Sequence, residues 1–564
     1  MRISGAIDMK LLLLYLCNYE DRRDYFLSSM PSGLVSLAAY LEGRGCDVTL
    51  ANFSKTGCRA ALKYAVQSSP DVVGMSLYTH NRADSLKLVK EIKKSLPNTV
   101  VITGGPHATH LADELLKRAP AIDYVVCGEG EKAMAFLLKK IAAGLAPARG
   151  AYEKGRIENL DTLPFPGQFR GTRVGIDPNE QFKVIITSRG CPARCTFCCS
   201  PGFWGRRTAF RGAENIVREI EYLHTEYGII YFSIRDDNFT LRRERVLEFC
   251  RLLVEKKLYI MWNCQSRVDT VDEEMLVSMK RAGLEQIQFG VESGSEKILK
   301  MYDKNITPAE ISKAMEMTRH AGIYLSIYLM AGMNGETRTD INMTRALIRQ
   351  TLPGDGVVSP VALYPGTQLY NDLKRDGRIA DSVWFSKKDA GIYLRNDTEV
   401  EEWMALLLNE IGKVRERAWY GESDFKQHRK VTGKDCWVTD ILEGDYYMDE
   451  DRFADAESRY VRVIAAHPRN LWGYLRMGKA QFAMARYAEA AQSYGMVTRL
   501  APRYYGGWLK RAESLLGLGM GDEARQCADE AARLNGYDPR IKNLKRLLGG
   551  NSTKRRVPLP RPSS

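Results

Sequence analysis

Four cysteines lie close together in residues 188–202, SRGCPARCTFCCSPG. Cys191, Cys195 and Cys198 follow a Cys-x3-Cys-x2-Cys spacing, and Cys199 directly follows the last of them. Thiolates are the usual protein ligands of iron–sulfur clusters. Three ligands on one short loop would leave one iron of a cubane cluster open to a substrate or cofactor. We therefore expect three ligands and a fourth cysteine, Cys199, that packs at the mouth of the fold, with a redox or substrate-facing role for it left open.

Two alternatives exist for these thiols. A structural zinc site needs four ligands in a tetrahedron, but neighbours such as Cys198 and Cys199 rarely reach one ion, and no histidine is nearer in sequence than His224. The second alternative is a set of buried free thiols. The spacing favours the cluster over both.

The elements that hold the cysteine loop in place are predicted to be strands that alternate with helices. Before residue 148 the apolar runs are MKLLLLYLC, DVTLANF, DVVGMSL, NTVVITGG and IDYVVCGEGE, with helical patterns such as 86–96 between them. This alternation predicts a parallel sheet with helices on both faces. Ligands of such sheets bind beyond the carboxyl ends of the strands, which here are Ser76, the pair Gly104-Gly105, and residues 128–130.

A second series of strands follows, with helices such as 214–227 and 308–320 between them. The predicted strands are 184–187, 229–234, 259–264, 286–290, 324–329 and 357–363. Six strand–helix units predict an open, partial version of the eight-stranded barrel, with its chemistry at the carboxyl ends of the strands.

Beyond about residue 380 the pattern is helical, first over 399–420 and then in a 34-residue repeat. Units 437–470, 471–504 and 505–538 align with small residues at equivalent positions, and the first two have matching prolines after their second helix. These residues are Gly444, Gly478 and Ala512; Ala456, Ala490 and Ala524; and Pro468 and Pro502. The period resembles that of tetratricopeptide repeats.

The predicted architecture is a multidomain α/β protein: a Rossmann-like parallel sheet, a partial (β/α)6 barrel of the TIM type, and all-α repeats. The predicted boundaries are 1–148 for the first sheet, 149–180 for a linker, 181–378 for the barrel, 379–434 for a helical connector, 435–548 for the repeats and 549–564 for a disordered basic tail.

The composition limits the cellular setting and the partners. The 564 residues carry 82 Lys and Arg against 69 Asp and Glu, a net charge of +13. This excess suits an acidic substrate, a nucleic acid or a phosphate-bearing cofactor, or an ordinary basic surface. Twelve cysteines without a secretory signature predict a cytoplasmic protein. No apolar segment is long enough to predict a membrane span.

Several motifs in order extend the pattern beyond the cysteines. The loop RGCPARCTFC resembles the signature of radical S-adenosylmethionine (SAM) enzymes, in the branch with an N-terminal cobalamin-binding domain. FSIRDDNFT (232–240), FGVESGSEKILKMYDK (289–304), LMAGMNGET (329–337) and LYPGTQLY (363–370) resemble its later strand-end motifs. VVITGGPHAT and DYVVCGEGE resemble its cobalamin domain.

The resemblance implies roles for the cysteine loop. Cys191, Cys195 and Cys198 would hold a 4Fe–4S cluster whose free iron binds the amino and carboxylate groups of SAM. Phe197 would border the adenine.

Further SAM contacts are implied at the later strand ends. Asp236 and Asp237 would accept hydrogen bonds from the SAM ammonium group, the alternative being a turn or a helix cap. Glu292 would bind a ribose hydroxyl, the alternative being a salt-bridged rim residue. Gly332 and Gly335 would leave space for the adenine, although a methionine–asparagine pair stands between them where the family usually has leucine–proline.

The cobalamin site is implied at the first sheet. Ser76, Gly104 and Gly105 would line the nucleotide tail. The Asp-x-His-x-x-Gly motif is absent, and His80 and His107 lie near strand ends but outside that context. We expect cobalamin to bind base-off, without a motif histidine.

The implied reaction is methylation of an unactivated carbon. An electron from reduced flavodoxin or ferredoxin would cleave SAM to a 5′-deoxyadenosyl radical that removes hydrogen from the substrate, and methylcobalamin would supply the methyl group. The repeats would receive a peptide or a partner protein, and deleting residues 431–564 should then leave SAM cleavage intact.

Three alternatives keep part of this assignment. The nearest is a cobalamin-dependent radical cyclase, ring-rearrangement or oxidation enzyme that transfers no methyl group. Methylthiolation of tRNA is disfavoured because a second cysteine cluster is missing, so a nucleic acid is not expected as a partner. The third is a repeat scaffold with vestigial catalysis.

Overall fold

A parallel sheet forms the first unit of the computed structural model, which describes residues 9–17, 28–386 and 391–549. Its strands are β1 (Lys10–Tyr15), β2 (Asp47–Asn52), β3 (Val72–Ser76), β4 (Val100–Gly104), β5 (Tyr124–Val126), β6 (Gly150–Tyr152) and β7 (Thr172–Val174). They pair in the order β6-β5-β4-β3-β1-β2-β7, all parallel. The predicted linker, 149–180, therefore supplies both edge strands. Edge strands bury little apolar surface, which is why the sequence pattern missed them.

Helices cover both faces of this sheet, as predicted. They are Ser32–Glu42, Cys58–Ser68, Arg82–Ser95, Pro106–His110, Ala112–Arg118 and Gly130–Ala142. Side chains alternate along a strand. Leu11 and Leu13 therefore pack into one apolar cluster, and Leu12 and Leu14 pack into the cluster on the opposite face.

The second sheet is the predicted partial barrel. Its strands are β8 (Val184–Ile185), β11 (Tyr231–Ile234), β12 (Met261–Ser266), β13 (Leu284–Glu292), β14 (Tyr324–Ala331) and β15 (Asp355–Pro360), paired in sequence order and parallel. A short antiparallel pair, β9 (Ser188–Arg189) and β10 (Ala209–Phe210), lies beside the cysteine loop. The connecting helices are Ala213–Tyr227, Arg243–Glu255, Glu273–Arg281, Glu296–Met301, Pro308–His320 and Arg338–Thr351, and the short helices are Pro178–Gln181, Ser200–Trp204 and Gln368–Arg375.

The C-terminal region is helical. Its helices are Thr398–Ala418, Glu422–Thr432, Trp437–Asp449, Phe453–Ala466, Leu471–Ala483, Tyr487–Leu500, Tyr505–Gly517, Gly521–Leu534 and Pro539–Gly549. Six of them form three pairs that coincide with the three 34-residue units. The predicted tail lies outside the described residues from 550 onwards. Across the described ranges, no helix combines the length and apolarity that a membrane crossing needs.

Small residues in the repeats make room for tyrosines. A Cβ atom added at Gly444 would lie 2.3 Å from the ring of Tyr460, and one at Gly478 would lie 2.8 Å from the ring of Tyr494. The third unit has alanine at both equivalent positions. The period therefore reflects helix crossings, and its assignment to the tetratricopeptide family stays a prediction.

The helical region packs against the amino-terminal end of the barrel. Ile230 and Met261, at the starts of β11 and β12, belong to the same apolar cluster as Trp437 and Trp472 of the repeats. The Trp472 indole Nε1 donates to the carbonyl of Tyr259 at 3.2 Å. The repeats thus cover the end of the barrel opposite the carboxyl ends of the strands.

Candidate cofactor-binding site

The three predicted cluster ligands lie on the loop that leaves β9. Cys191 and Cys195 are buried, and Cys198 is partly buried. Arg267 Nη1 approaches Cys195 Sγ at 3.6 Å, and the Ser200 N–H donates to Cys198 Sγ at 3.4 Å. Such donors stabilise thiolates, the form that binds metal.

Burial has the largest effect on the pKa values of these thiols. It raises the pKa of Cys191, and it raises the pKa of Cys198 strongly. Within the described residues, no three His, Cys, Asp or Glu side chains are arranged to hold a single metal ion.

Later motifs hold the cysteine loop in place. The Thr196 N–H donates to the Tyr302 carbonyl, and the Leu369 N–H donates to the Thr196 carbonyl, both at 2.9 Å. The Phe197 ring packs edge-on against Tyr302 with centroids 5.2 Å apart. The motifs around residues 289–304 and 363–370 therefore support the loop directly.

The two predicted aspartates have different surroundings. Asp236 is buried and accepts hydrogen bonds from the Thr187 N–H at 2.6 Å and the Ser188 hydroxyl at 2.6 Å, with Arg245 at 3.5 Å. Since both oxygens of Asp236 already bind this chain, the geometry favours a structural role for Asp236 over the predicted SAM contact.

Asp237 faces the interior space instead. Its Oδ2 accepts a hydrogen bond from the Ser200 hydroxyl at 2.7 Å. Its side chain is accessible to solvent within a cavity but is largely surrounded by protein, and this desolvation raises the pKa of Asp237.

Glu292 forms the salt bridge that was its alternative assignment. Its Oε1 lies 2.8 Å from Nζ of the buried Lys304. Glu292 has φ +67, a left-handed conformation that is rare outside glycine. A Cβ at Gly290 would lie 2.7 Å from Glu292 Oε1, so this glycine makes room for the pair. The ribose contact stays a prediction.

The two glycines after β14 shape a turn. Gly332 has φ +96 and Gly335 φ +74. The N–H groups of Gly332 and Met333 donate to Glu336 Oε2 at 2.6 and 3.1 Å. A Cβ at Gly332 would lie 3.2 Å from both methyls of Val400. Met333, where the family pattern differs, is buried beside Tyr302 in an apolar cluster. The conformation of this turn explains why both positions are glycine. The space for an adenine stays a prediction.

One cavity of about 460 Å³ joins the carboxyl edge of the first sheet to the barrel. On the first-sheet side it is lined by Ser76, Tyr78, Gly104, Gly105 and residues 128–131; on the barrel side it is lined by Arg189, Cys199, Ser200, Arg235 and Asp237. The structure thus brings the three predicted cobalamin residues and Asp237 to a single space. It also places Cys199 there, where burial raises the pKa of its thiol to about 11.

Glycines form the floor of this cavity on the first-sheet side. A Cβ at Gly105, which has φ +92, would lie 2.7 Å from Ser76 Oγ, and one at Gly74 would lie 2.6 Å from Leu13 Cδ2. A Cβ at Gly104 would lie 3.3 Å from the Val126 carbonyl. A floor without side chains fits the close approach of a long ligand such as the nucleotide tail of cobalamin.

Neither histidine near the strand ends lines the cavity. His80 Nε2 lies 3.0 Å from the Tyr15 hydroxyl, and His107 Nδ1 lies 3.1 Å from Thr79 Oγ1. Burial lowers the pKa of His107 to about 3. This arrangement agrees with the expectation of a site without a motif histidine.

Tyr78, Arg189 and Arg235 are among the cavity-lining residues that sequence reasoning missed. Each is adjacent or nearly adjacent to a predicted residue, namely Ser76, Cys191 and Asp236. Their positions at strand ends were the only available signal, because arginine and tyrosine are common on protein surfaces.

Replacing Gly105 with valine is expected to reduce cobalamin binding to near background. The side chain would collide with Ser76 and Leu77 at the floor formed by Gly74, Gly104 and Gly105, which we call the glycine cradle. Gly144→Val is the matched control, since Gly144 also has positive φ (+69) but a Cβ placed there would have nothing within 4 Å. The amount of cobalamin that each variant retains after gel filtration measures the effect. Equal retention by the Gly105 variant and the control would contradict the placement of the cradle.

Comparison with known proteins agrees with this geometry. Residues 27–138 match the B12 binding domain, and residues 185–348 match the Radical SAM superfamily. An uncharacterized methyltransferase of Pyrococcus horikoshii is 28% identical over 383 residues, 63% of this chain and 80% of that protein. An anaerobic magnesium-protoporphyrin IX monomethyl ester cyclase of Rubrivivax gelatinosus is 26% identical over 373 residues, 61% of this chain and 66% of the cyclase.

Solved structures share the fold. The radical SAM methyltransferase TsrM of Kitasatospora setae, with cobalamin and a [4Fe-4S] cluster bound, aligns with a TM-score of 0.57 at 20% identity over 65% of this chain and 78% of TsrM. The cobalamin-dependent radical enzyme OxsB, with aqua-cobalamin and SAM bound, aligns with a TM-score of 0.51 at 16% identity over 93% of this chain and 83% of OxsB. With both models matched, the chain carries a B12 binding domain followed by a Radical SAM domain, whose cofactors are cobalamin, a 4Fe–4S cluster and SAM.

Proposed function

We propose that this enzyme is a methyltransferase that acts on an unactivated carbon. The shared cavity carries the proposal, because the glycine cradle lies on one side of it and Cys199, Ser200 and Asp237 lie on the other. A substrate in this space would reach both cofactors. When bound, the cluster and SAM supply radical chemistry and cobalamin supplies a transferable methyl group.

The chain itself positions and shields these groups. Arg267 donates to the Sγ atom of Cys195, and the Ser200 N–H donates to that of Cys198, two of the residues that would hold the cluster. The Phe197 ring packs on Tyr302 and covers the cysteine loop with apolar surface, which excludes water. We assign the SAM ammonium contact to Asp237, whose carboxylate faces the cavity, and leave Asp236 to position the strand ends.

A labelled methyl group tests the proposal without the substrate. Holoprotein reduced anaerobically with SAM carrying a deuterated methyl group should yield protein-bound cobalamin that carries the label, detected by mass spectrometry. The Gly105→Val variant serves as the control, because it should retain the cluster but lose the cobalamin. Unlabelled cobalamin after many equivalents of SAM have been consumed would contradict methyl transfer.

A radical cyclase is the second candidate. Three of the curated relatives are magnesium-protoporphyrin cyclases, of which this chain covers 54% to 66%. A cyclase that transfers no methyl group would cleave SAM and leave the cobalamin unlabelled, so the same experiment separates the two functions.

The electron donor is the remaining requirement of the reaction. Radical SAM enzymes need a reductant, and we propose flavodoxin or ferredoxin. Pro192 and Arg194 of the cluster loop are exposed, so this loop reaches the surface where such a donor would dock. The twelve free cysteines support a cytoplasmic location.

A partner of the repeats needs a surface that the barrel leaves uncovered. Trp437 and Trp472 belong to the first helices of two repeat units and already contact the barrel. A peptide or protein partner would therefore use the second helices, such as Phe453–Ala466, on which Val461 is 52% exposed.

A further inference from the structure

Arg189 connects the loops of the two cofactor domains. It lies in β9, two residues before Cys191. Its Nη1 donates to Glu129 Oε2 at 2.9 Å, and its Nη2 donates to Glu131 Oε1 at 2.6 Å. Glu129 ends the loop after β5, Glu131 lies in the first turn of the helix Gly130–Ala142, and both line the cavity. One guanidinium thus spans the boundary between the cobalamin domain and the cluster loop.

A second arginine strengthens this connection. Arg156 Nη2 donates to the Arg189 carbonyl at 2.9 Å, and Nη1 donates to the Trp204 carbonyl at 3.1 Å. Its Nε lies 3.5 Å from Glu129 Oε1. Glu129 also accepts a hydrogen bond from the Ile157 N–H at 3.0 Å. Two arginines and two glutamates therefore cross-link four segments of the chain.

The cross-link is buried, which makes its geometry strict. The side chains of Arg189, Glu129 and Glu131 are 11%, 5% and 4% exposed. A planar guanidinium that binds two carboxylates fixes orientation as well as distance. Removing one partner would leave a charge buried and uncompensated, which is more costly than losing an exposed pair. The cross-link therefore restrains the two segments relative to each other.

We propose that Arg189 is a positioning residue that sets the distance and orientation between cobalamin and the iron–sulfur cluster. It does so by locking the segment 127–131, the end of a loop and the first residues of the helix Gly130–Ala142, on which cobalamin would rest, to the cysteine loop 190–199. The inference rests on the two cofactors and not on methyl transfer, so it holds equally for a cyclase.

The test measures the separation of the cofactors directly. Holoprotein is reconstituted with iron, sulfide and hydroxocobalamin, and both centres are reduced to their paramagnetic states. Pulsed electron paramagnetic resonance then reports the dipolar interaction between cluster and cobalt. The variants are Arg189→Gln, Arg189→Lys and Glu131→Gln. The matched control is Arg243→Gln, because Arg243 also binds two carboxylates, Asp272 at 2.8 Å and Glu274, but on the surface.

Wild type and the control should show one defined dipolar interaction. Arg189→Gln and Glu131→Gln should keep both cofactors. In these variants a broad distribution of dipolar interactions should replace the single one. Arg189→Lys keeps the positive charge but lacks the planar guanidinium that binds two carboxylates. Its distribution of dipolar interactions should therefore be narrower than that of Arg189→Gln and broader than that of wild type. A dipolar interaction unchanged in Arg189→Gln and Glu131→Gln would overturn the proposal. Loss of both cofactors in all three variants would also overturn it, since the cross-link would then serve folding and not positioning.

Discussion

Replacing Cys195 with serine is expected to abolish cluster assembly and, with it, reductive cleavage of SAM. Cys195 is buried and is approached by Arg267 at 3.6 Å, a setting that stabilises a thiolate ligand. A serine hydroxyl stays protonated and binds iron poorly. Iron content and the yield of 5′-deoxyadenosine under anaerobic reduction measure the effect. The loss in yield should exceed about 100-fold, the upper range for loss of a residue that only supports a metal ligand.

Two other cysteines provide controls for this experiment. Cys199→Ser changes a thiol that lines the cavity, and Cys250→Ser changes a fully buried thiol of helix Arg243–Glu255. Both variants should assemble the cluster. Loss of iron in Cys199→Ser, to the same degree as in Cys195→Ser, would show that the fourth cysteine is a ligand and would contradict the three-ligand assignment.

Deleting residues 433–564 is expected to destabilise the whole enzyme severely. Ile230 and Met261 at the amino-terminal end of the barrel are buried under Trp437 and Trp472 of the repeats. Exposing each such side chain costs about 1.5–3 kcal/mol, and a few of them approach the total stability of a typical domain. The sequence analysis predicted that SAM cleavage would survive the nearly identical deletion of residues 431–564, whereas the packing predicts its loss. Thermal unfolding, soluble yield and iron incorporation measure the effect.

Single substitutions separate this packing from a general effect of the repeats. Trp472→Ala removes an indole that donates to the barrel at Tyr259 and should lower the melting temperature of the whole protein. Trp508→Ala is the control, because the Trp508 indole donates to Pro502 within the repeats. A truncated protein with the melting temperature and iron content of the full chain would show that the repeats are an independent module.

The sequence was most informative where periodicity and spacing were strong. All five apolar runs of the first sheet and all six barrel strands are present, because buried parallel strands are continuous apolar runs. The edge strands β6 and β7 were missed because they are three residues long and partly exposed. The cross-link at Arg189 was missed for another reason: its glutamates lie about 60 residues away in the sequence.

Residue roles were harder to predict than elements. Asp236 and Asp237 are adjacent and chemically identical. Asp236 nevertheless accepts hydrogen bonds from Thr187 and Ser188, whereas Asp237 faces the cavity. Both aspartates lie in the loop after β11, which ends at Ile234, so the conformation of that loop decides which of them faces the cavity, and the sequence pattern does not predict it. Likewise, only the packing of the repeats on Ile230 shows which of their faces is already occupied.

The cofactor content of the purified protein tests the central claim most directly. After anaerobic reconstitution with iron, sulfide and hydroxocobalamin, the account predicts about one cobalamin and about four irons per chain, as one cubane cluster requires. Iron at this level without cobalamin would contradict it, because the glycine-floored cavity would then not be a cobalamin site.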